Sequence, residues 1–293
     1  MVERLTNRSK HFQKETAILT IVVFFISVII FFLPIARAEA YNHTSAVALL
    51  DANSGEFLYC ENADVKMEIA STTKILTAIV VIENADVFMT YEIPRAAVGI
   101  EGSSIYLQSG EKWRILDLLY GMMLRSGNDA ATALALATSE SLEKFTELMN
   151  DTALKIGATN SHFINPHGLH DEAHYSTARD MALITAYALR CPIFKEICKT
   201  KTHTCEKVCG EGKEKVVFYN KNKLLYSYPD AIGVKTGYTK HAGRCLVSAA
   251  ERNGIRLVCV TLNEGDTYGV SKSLFEKYFS AKQNACENNE STI

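Results

Sequence analysis

The sequence lacks the marks of several protein classes. It has no surplus of charge of either sign: 31 basic residues stand against 33 acidic ones, a net of −2. That leaves no basic footprint of the kind a nucleic-acid-binding surface needs. No internal repeat is present, so a solenoid or propeller is not indicated. The eight cysteines include no Cys-x-x-Cys pair, and no histidine begins a His-Glu-x-x-His run. Neither a zinc ribbon nor a helical zinc-hydrolase site is therefore written in the chain. Beyond residue 40 no apolar run is long enough to cross a bilayer. What remains is ordinary for a folded protein: 293 residues, 47% hydrophobic and 22% charged. That length suits one large domain or two modest ones.

Residues 1–40 differ from the rest. Arg4, Arg8, Lys10 and Lys14 precede the uncharged run Ala17–Leu33, which is followed by Pro34 and by Ala36-Arg37-Ala38-Glu39-Ala40. A cationic start, an apolar stretch and a small-residue pattern predict an export signal cut after Ala38 or Ala40. The apolar run is also about long enough to span a bilayer, so an uncleaved anchor is the alternative. Both place the remaining chain outside the cytoplasm, with membrane contact only through this segment if it is uncleaved. Export permits disulfides. Cys60, Cys245 and Cys259 lie in apolar, strand-like stretches and are expected as buried thiols. Cys191, Cys198, Cys205 and Cys209 are crowded together. They could pair in an order the sequence does not fix, or join His203 in a zinc site. Cys286 lies in a polar tail.

Ser45–Leu50 and Glu56–Cys60, joined by the turn-rich Asp51-Ala52-Asn53-Ser54-Gly55, predict a hairpin. A helix with an apolar face made by Ile75, Leu76, Ile79, Val80 and Ile82 follows. Further helical patterns occupy Trp113–Leu124, Ala130–Ala137 and Leu142–Lys155. Asn165–His170 is a loop. Ser176–Asp180 caps a helix running to Arg190. The polar stretch Lys199–Asn222 is a solvated excursion or a hairpin. Ile232–Tyr238, Cys245–Ala250 and Arg256–Leu262 are three successive strands, and Val270–Phe279 is a closing helix. Residues 283–293 form a polar tail expected to be disordered. The simplest assembly is a mixed α/β (α+β) fold, with one antiparallel sheet built from the first hairpin and the last three strands. Helices cover that sheet, and a helical lobe spans about residues 72–190. The cleft between sheet and lobe is the expected site.

Chemistry concentrates in three short stretches. In Ser71-Thr72-Thr73-Lys74, a serine and a lysine three apart at a helix start lie on one face, beside free backbone N–H groups and the positive end of the helix dipole. A nucleophile, a possible base and a place for an oxyanion thus come from one turn. Alone, this pattern also describes a capping serine before an exposed lysine. It is followed by Ser126-Gly127-Asn128 beyond an apolar helix and Lys235-Thr236-Gly237 on a candidate strand. The three motifs, in this order on helix, loop and strand, are those of penicillin-binding proteins and class A β-lactamases.

With these motifs the sequence resembles the low-molecular-weight penicillin-binding proteins, serine D-alanyl-D-alanine carboxypeptidases of the peptidase family S11 type. The likeness includes Asn62-Ala63-Asp64, Gly102-Ser103-Ser104, Gly110-Glu111 and Asn165-Pro166-His167-Gly168-Leu169. It continues through His174–Asp180, Gly233–Thr239 and Ala242-Gly243, and covers about residues 42–280. It implies the β-lactamase/transpeptidase-like fold for a catalytic domain of residues 41–282, which would remove the terminal D-alanine from peptidoglycan stem peptides. Covalent β-lactam inhibitors are implied, and no cofactor or metal. Ser71 would attack the carbonyl between two D-alanines. Lys74 would be its base if burial and Lys235 depress its pKa; otherwise it would remain charged and assist electrostatically. Ser126 would relay a proton to the leaving amine. Asn128 would bind the substrate backbone and Lys74. Lys235 and Thr236 would hold the terminal carboxylate, and Gly237 would let the substrate lie close. Backbone N–H groups of Ser71 and Tyr238 would form the oxyanion hole. His167, His170 and His174 are expected as loop structure, not metal ligands. The alternatives are a class A-like β-lactamase and a non-catalytic penicillin- or wall-binding module.

Overall fold

Side chains along a strand point alternately to opposite faces, and the first strand uses this to join two cores. The computed structural model describes residues 44–290; the expected export signal lies outside them. In β1 (Ala46–Asp51), Ala46, Ala48 and Leu50 enter one apolar cluster, and Val47 and Leu49 enter another. β9 (Ile255–Leu262) does the same, with Val258, Val260 and Leu262 on one face and Leu257 and Cys259 on the other. Strands covered on both faces read as continuous apolar runs, which is why these strands were legible. With β2 (Phe57–Glu61), β7 (Ala231–Thr239) and β8 (Gly243–Arg252) they form a five-stranded sheet in the order β2-β1-β9-β8-β7. Every pairing in it is antiparallel.

One face of this sheet carries the lobe. Its centre is α1 (Lys74–Asn84), in which every residue from Lys74 to Val81 is buried. A helix apolar nearly all round must be enclosed. It is packed among α2 (Ile115–Arg125), α3 (Asn128–Thr138), α4 (Leu142–Ile156), α5 (Ala178–Ala188) and α6 (Pro192–Lys199). α5 lies on β1 and β9. Ser141 and Thr177 cap α4 and α5 through their side chains, as residues at those positions do. The other face is closed by α8 (Thr267–Glu290), through Leu274, Phe275 and Phe279. Burying each such side chain contributes about 1.5–3 kcal/mol. A short helix, α7 (Leu224–Ser227), precedes β7.

The stretch Lys199–Asn222 takes the hairpin form of its two expected readings, while the second sheet it joins, the start of the Trp113 segment, the polar tail and Cys60 differ from expectation. The polar excursion is a hairpin of β5 (Thr202–Cys209) and β6 (Gly212–Tyr219). It joins β3 (Thr90–Glu92) and β4 (Lys112–Arg114) in a second antiparallel sheet. The segment expected to be helical from Trp113 therefore starts as a strand, and its helix begins at Ile115. The closing helix reaches Glu290; the residues from Gln283 onward that continue it include good helix formers (Gln283, Ala285, Glu287). Cys60 is exposed on the sheet-edge strand β2, whereas Cys245 and Cys259 are buried as expected. Cys191, Cys198, Cys205 and Cys209 are all thiols. They are dispersed over the turn before α6, α6 itself and β5.

Candidate active site

Ser71 lies in a 3-10 turn, Ala70–Thr73, that leads directly into α1. The residue before it, Ala70, has φ +47°, a conformation that costs energy in any residue with a side chain and often marks a functional turn. Two close approaches fix this turn. A side chain on Gly168 (φ +84°) would run into the Ala70 carbonyl. On the opposite side, a Cβ on Gly237 would sit 3.1 Å from the Ser71 backbone nitrogen. Only glycine leaves space there for an oxygen atom to reach that N–H.

Lys74 is wholly buried. Its Nζ is 3.1 Å from Ser71 Oγ, 2.7 Å from Asn128 Oδ1 and 2.7 Å from the His167 carbonyl oxygen. Burial drives its pKa well below the usual lysine value, and the charge of Lys235 pushes it further down. Both act in the sense the sequence reading required.

The second motif joins two helices end to end. α2 stops at Arg125, Ser126 takes a left-handed conformation (φ +67°), and α3 begins at Asn128. Asn128 Oδ1 faces Lys74, its Nδ2 donates to the Glu101 carbonyl at 2.6 Å and its backbone N–H donates to Ser103 at 2.7 Å. One of the two amide hydrogens is thus committed to the protein, which leaves the other for a substrate.

The third motif lies on β7, at the edge of the main sheet, where Lys235, Thr236 and Gly237 pair with Val247, Leu246 and Cys245. Lys235 is buried, and its Nζ donates to Ser126 Oγ at 3.0 Å. Burial, and next the charge of Lys221, lower its pKa to about 7. Thr236 and Gly237 are half-buried, and Tyr238 is 69% exposed. A chain of contacts thus runs from Ser71 through Lys74 to Asn128, and a second joins Ser126 to Lys235. Gly237 brings the strand of the third motif against the turn of the first.

The D-alanyl-D-alanine carboxypeptidase family, peptidase family S11, matches residues 35–266. The chain belongs to that family. It is 34% identical over 229 residues to D-alanyl-D-alanine carboxypeptidase DacF of Bacillus subtilis, covering 76% of this chain and 58% of the relative. The D-alanyl-D-alanine carboxypeptidase of Streptomyces strain K15 is 36% identical over 227 residues, covering 73% and 78%. The solved Streptomyces K15 DD-transpeptidase superposes with a TM-score of 0.69 at 36% identity, covering 74% of this chain and 88% of that one. DacD from Francisella tularensis gives 0.68 at 31% identity, covering 74% and 65%. The chain spans little more than half the length of DacF.

Asp129 and Lys221 of this S11 domain were not singled out by sequence reasoning, and the histidine loop was read only as structure. Asp129 is buried, and its carboxylate accepts from Ser104 Oγ at 2.5 Å and from the backbone N–H groups of Ile105, Leu107 and Ala130. It thereby holds the loop that bears Ser103 against the second motif. The Asn165–His170 loop is fastened to the turn and to α1. Thr77 Oγ1 donates to the Pro166 carbonyl at 2.7 Å, and Thr73 Oγ1 lies 2.8 Å from His174 Nε2. Burial keeps His167 and His174 neutral, at about 3 and about 4. Lys221, from the polar stretch, supplies a further cation felt by both buried lysines. Its signal in the sequence was weak because nothing local ties it to a motif.

Proposed function

We propose that this chain is a serine D-alanyl-D-alanine carboxypeptidase acting through an acyl-enzyme on Ser71. The observation that carries the reading is the wholly buried Lys74 amine, depressed in pKa and 3.1 Å from Ser71 Oγ. A neutral amine there can take the serine proton as Oγ bonds to the carbonyl carbon of the penultimate D-alanine. The backbone N–H groups of Ser71 and Tyr238 receive the oxyanion, beside the space that Gly237 leaves. Collapse breaks the C–N bond, and the terminal D-alanine leaves as an amine, its proton supplied through Ser126. Lys235 and Thr236 hold its carboxylate by charge and hydroxyl. The substrate lies along β7, whose edge position leaves backbone groups for an extended peptide. Water then attacks the acyl-serine. β-Lactams acylate the same oxygen.

A class A-like β-lactamase is not favoured. That activity needs a carboxylate beside the acyl-serine to hold water. Glu172 is exposed on its loop, and the Asp129 carboxylate is engaged by the loop it anchors. We place the enzyme on the outer side of the cytoplasmic membrane. The cationic, then apolar, then small-residue order of residues 1–40 supports this. N-terminal sequencing of the native protein should begin at Glu39 or Tyr41; Met1 in a membrane fraction would favour an anchor instead.

Release of D-alanine from a wall pentapeptide tests the activity. It should be present in the native chain and absent from Ser71→Ala. Intact-mass spectrometry should find a penicillin adduct that persists for minutes or longer. A folded Ser71→Ala protein that still takes the label would remove Ser71 from the nucleophile's place. Destruction of excess penicillin within seconds would make the β-lactamase reading the better one.

A further inference from the structure

The sequence reading assigned His170 to loop structure, and its neighbours in the fold give it another use. Its Nδ1 lies 2.8 Å from Glu68 Oε1, and its ring is stacked on that of His241, with centroids 4.0 Å apart and planes 7° from parallel. A donor atom from each of Glu68, His170 and His241 lies within 4.8 Å of the other two. Two imidazoles and one carboxylate are a donor set that zinc takes in open sites, where water fills the remaining position. Both rings are at the surface. Coordination at the usual Zn–N distance of about 2.0–2.1 Å requires the stacked rings to turn apart around the ion.

We propose that Glu68, His170 and His241 form a binding site for a divalent transition-metal ion of the zinc class at the rim of the cleft. Each ligand belongs to a different wall of the site. Glu68 precedes the turn of Ser71, His170 follows the His167 whose carbonyl accepts from Lys74, and His241 follows Tyr238 at the end of β7. An ion there ties the three segments to one another without touching Ser71 or either buried lysine.

A second group, Asp117, His203 and Cys205, brings its donor atoms equally close. It differs in having the Arg114 guanidinium on the same carboxylate, 2.7 Å from Asp117 Oδ2, a cation that competes with a metal for that ligand. This gives the experiment an internal control. Metal-free full-length chain is titrated with Co2+, followed by its visible d–d absorption, and Zn2+ affinity is read by displacement. One saturable site is expected, with no thiolate charge-transfer band. His170→Ala and His241→Ala should each weaken it at least about tenfold, given that even outer-shell changes cost 10–100-fold. Cys205→Ser should leave it unchanged. Circular dichroism confirms folding, which these surface substitutions do not threaten. The proposal is overturned if the native chain shows no saturable binding. It is equally overturned if the double variant H170A/H241A binds as tightly as the native chain, or if a thiolate band appears and vanishes in Cys205→Ser. None of these readouts depends on peptidase activity, so a failed metal site and a failed peptidase reading are separable.

Discussion

The two walls of the cleft each bury one lysine, and the proposed chemistry asks opposite things of them. Lys74, on the helical wall, is surrounded by neutral acceptors: a serine hydroxyl, an amide oxygen and a backbone carbonyl. Lys235, on the strand wall, donates to Ser126 Oγ and to the Thr236 carbonyl, on the edge strand β7. Both are lowered chiefly by burial. Lys235 is lowered to about 7, and Lys74 feels the charge of Lys235 as well. The difference suits a base on one side and a carboxylate partner on the other. An anionic substrate raises the pKa of the lysine it meets, so binding itself restores the charge on Lys235. On the proposed chemistry, similar residues in similar burial are divided by which of them the substrate carboxylate reaches.

The largest expected effect breaks the comparison on the Lys74 side. Lys74→Ala should slow acylation of Ser71 by about 10²–10⁴-fold, the usual range for a lost general base. Lys74→Arg should be as inactive, because a guanidinium does not lose its proton. Lys235→Ala should act on KM: a charge-assisted hydrogen bond contributes about 1.5–3 kcal/mol, or roughly 10–150-fold in binding. Lys235→Arg keeps a cation and should recover part of this. Stopped-flow penicillin acylation and steady-state peptide kinetics separate the two sides. The division of labour fails if Lys74→Arg retains the native rate, or if Lys235→Ala lowers kcat alone.

Much of this division was legible because it is local. Ser71 and Lys74 share a helical turn, and Ser126 and Asn128 bracket one glycine, so spacing alone puts the groups of each motif together. The main sheet was legible because β1, β8 and β9 bury both faces. The second sheet was not. Lys112–Arg114 has three residues, with only Trp113 buried between exposed neighbours, too short to show a period beside the apolar helix that follows. β5 and β6 expose most of one face, and their charges read as a solvated excursion. Asp129 and Lys221 escaped, and His174 was read only as loop structure, because their partners are distant in sequence. Lys221 meets the cleft only once the hairpin has folded back.

The helical wall also carries an acid-sensitive part. His174 is buried against Thr73 and titrates at about 4 in the folded chain, against about 6.5 when unfolded. Between those values the unfolded state binds the extra proton, so stability rises with pH there and falls on acidification. The slope is about 1.4 kcal/mol per pH unit for one such group. Urea unfolding should show full stability above about pH 6.5 and progressive loss toward pH 4. In His174→Gln, which cannot titrate, that slope should be smaller. An unchanged slope would assign the acid sensitivity to other groups.

The smallest expected effect sharpens the comparison most. In the free enzyme kcat/KM should fall on the alkaline side as Lys235 loses its proton near pH 7. It should fall on the acid side as Lys74 gains one. Lys221 lowers both lysines by its charge. Lys221→Gln removes that repulsion, so the protonated form of each becomes easier to hold and both pKa values rise. The two limbs of the bell should therefore move to higher pH together, by less than about one unit, since burial remains the larger cause. The kcat profile should show its alkaline limb at higher pH than kcat/KM, because bound carboxylate already holds the proton on Lys235. If only the alkaline limb moves in Lys221→Gln, the cation is felt on the strand wall alone. If neither moves, burial alone sets the two lysines apart, and the reach of Lys221 across the cleft is lost.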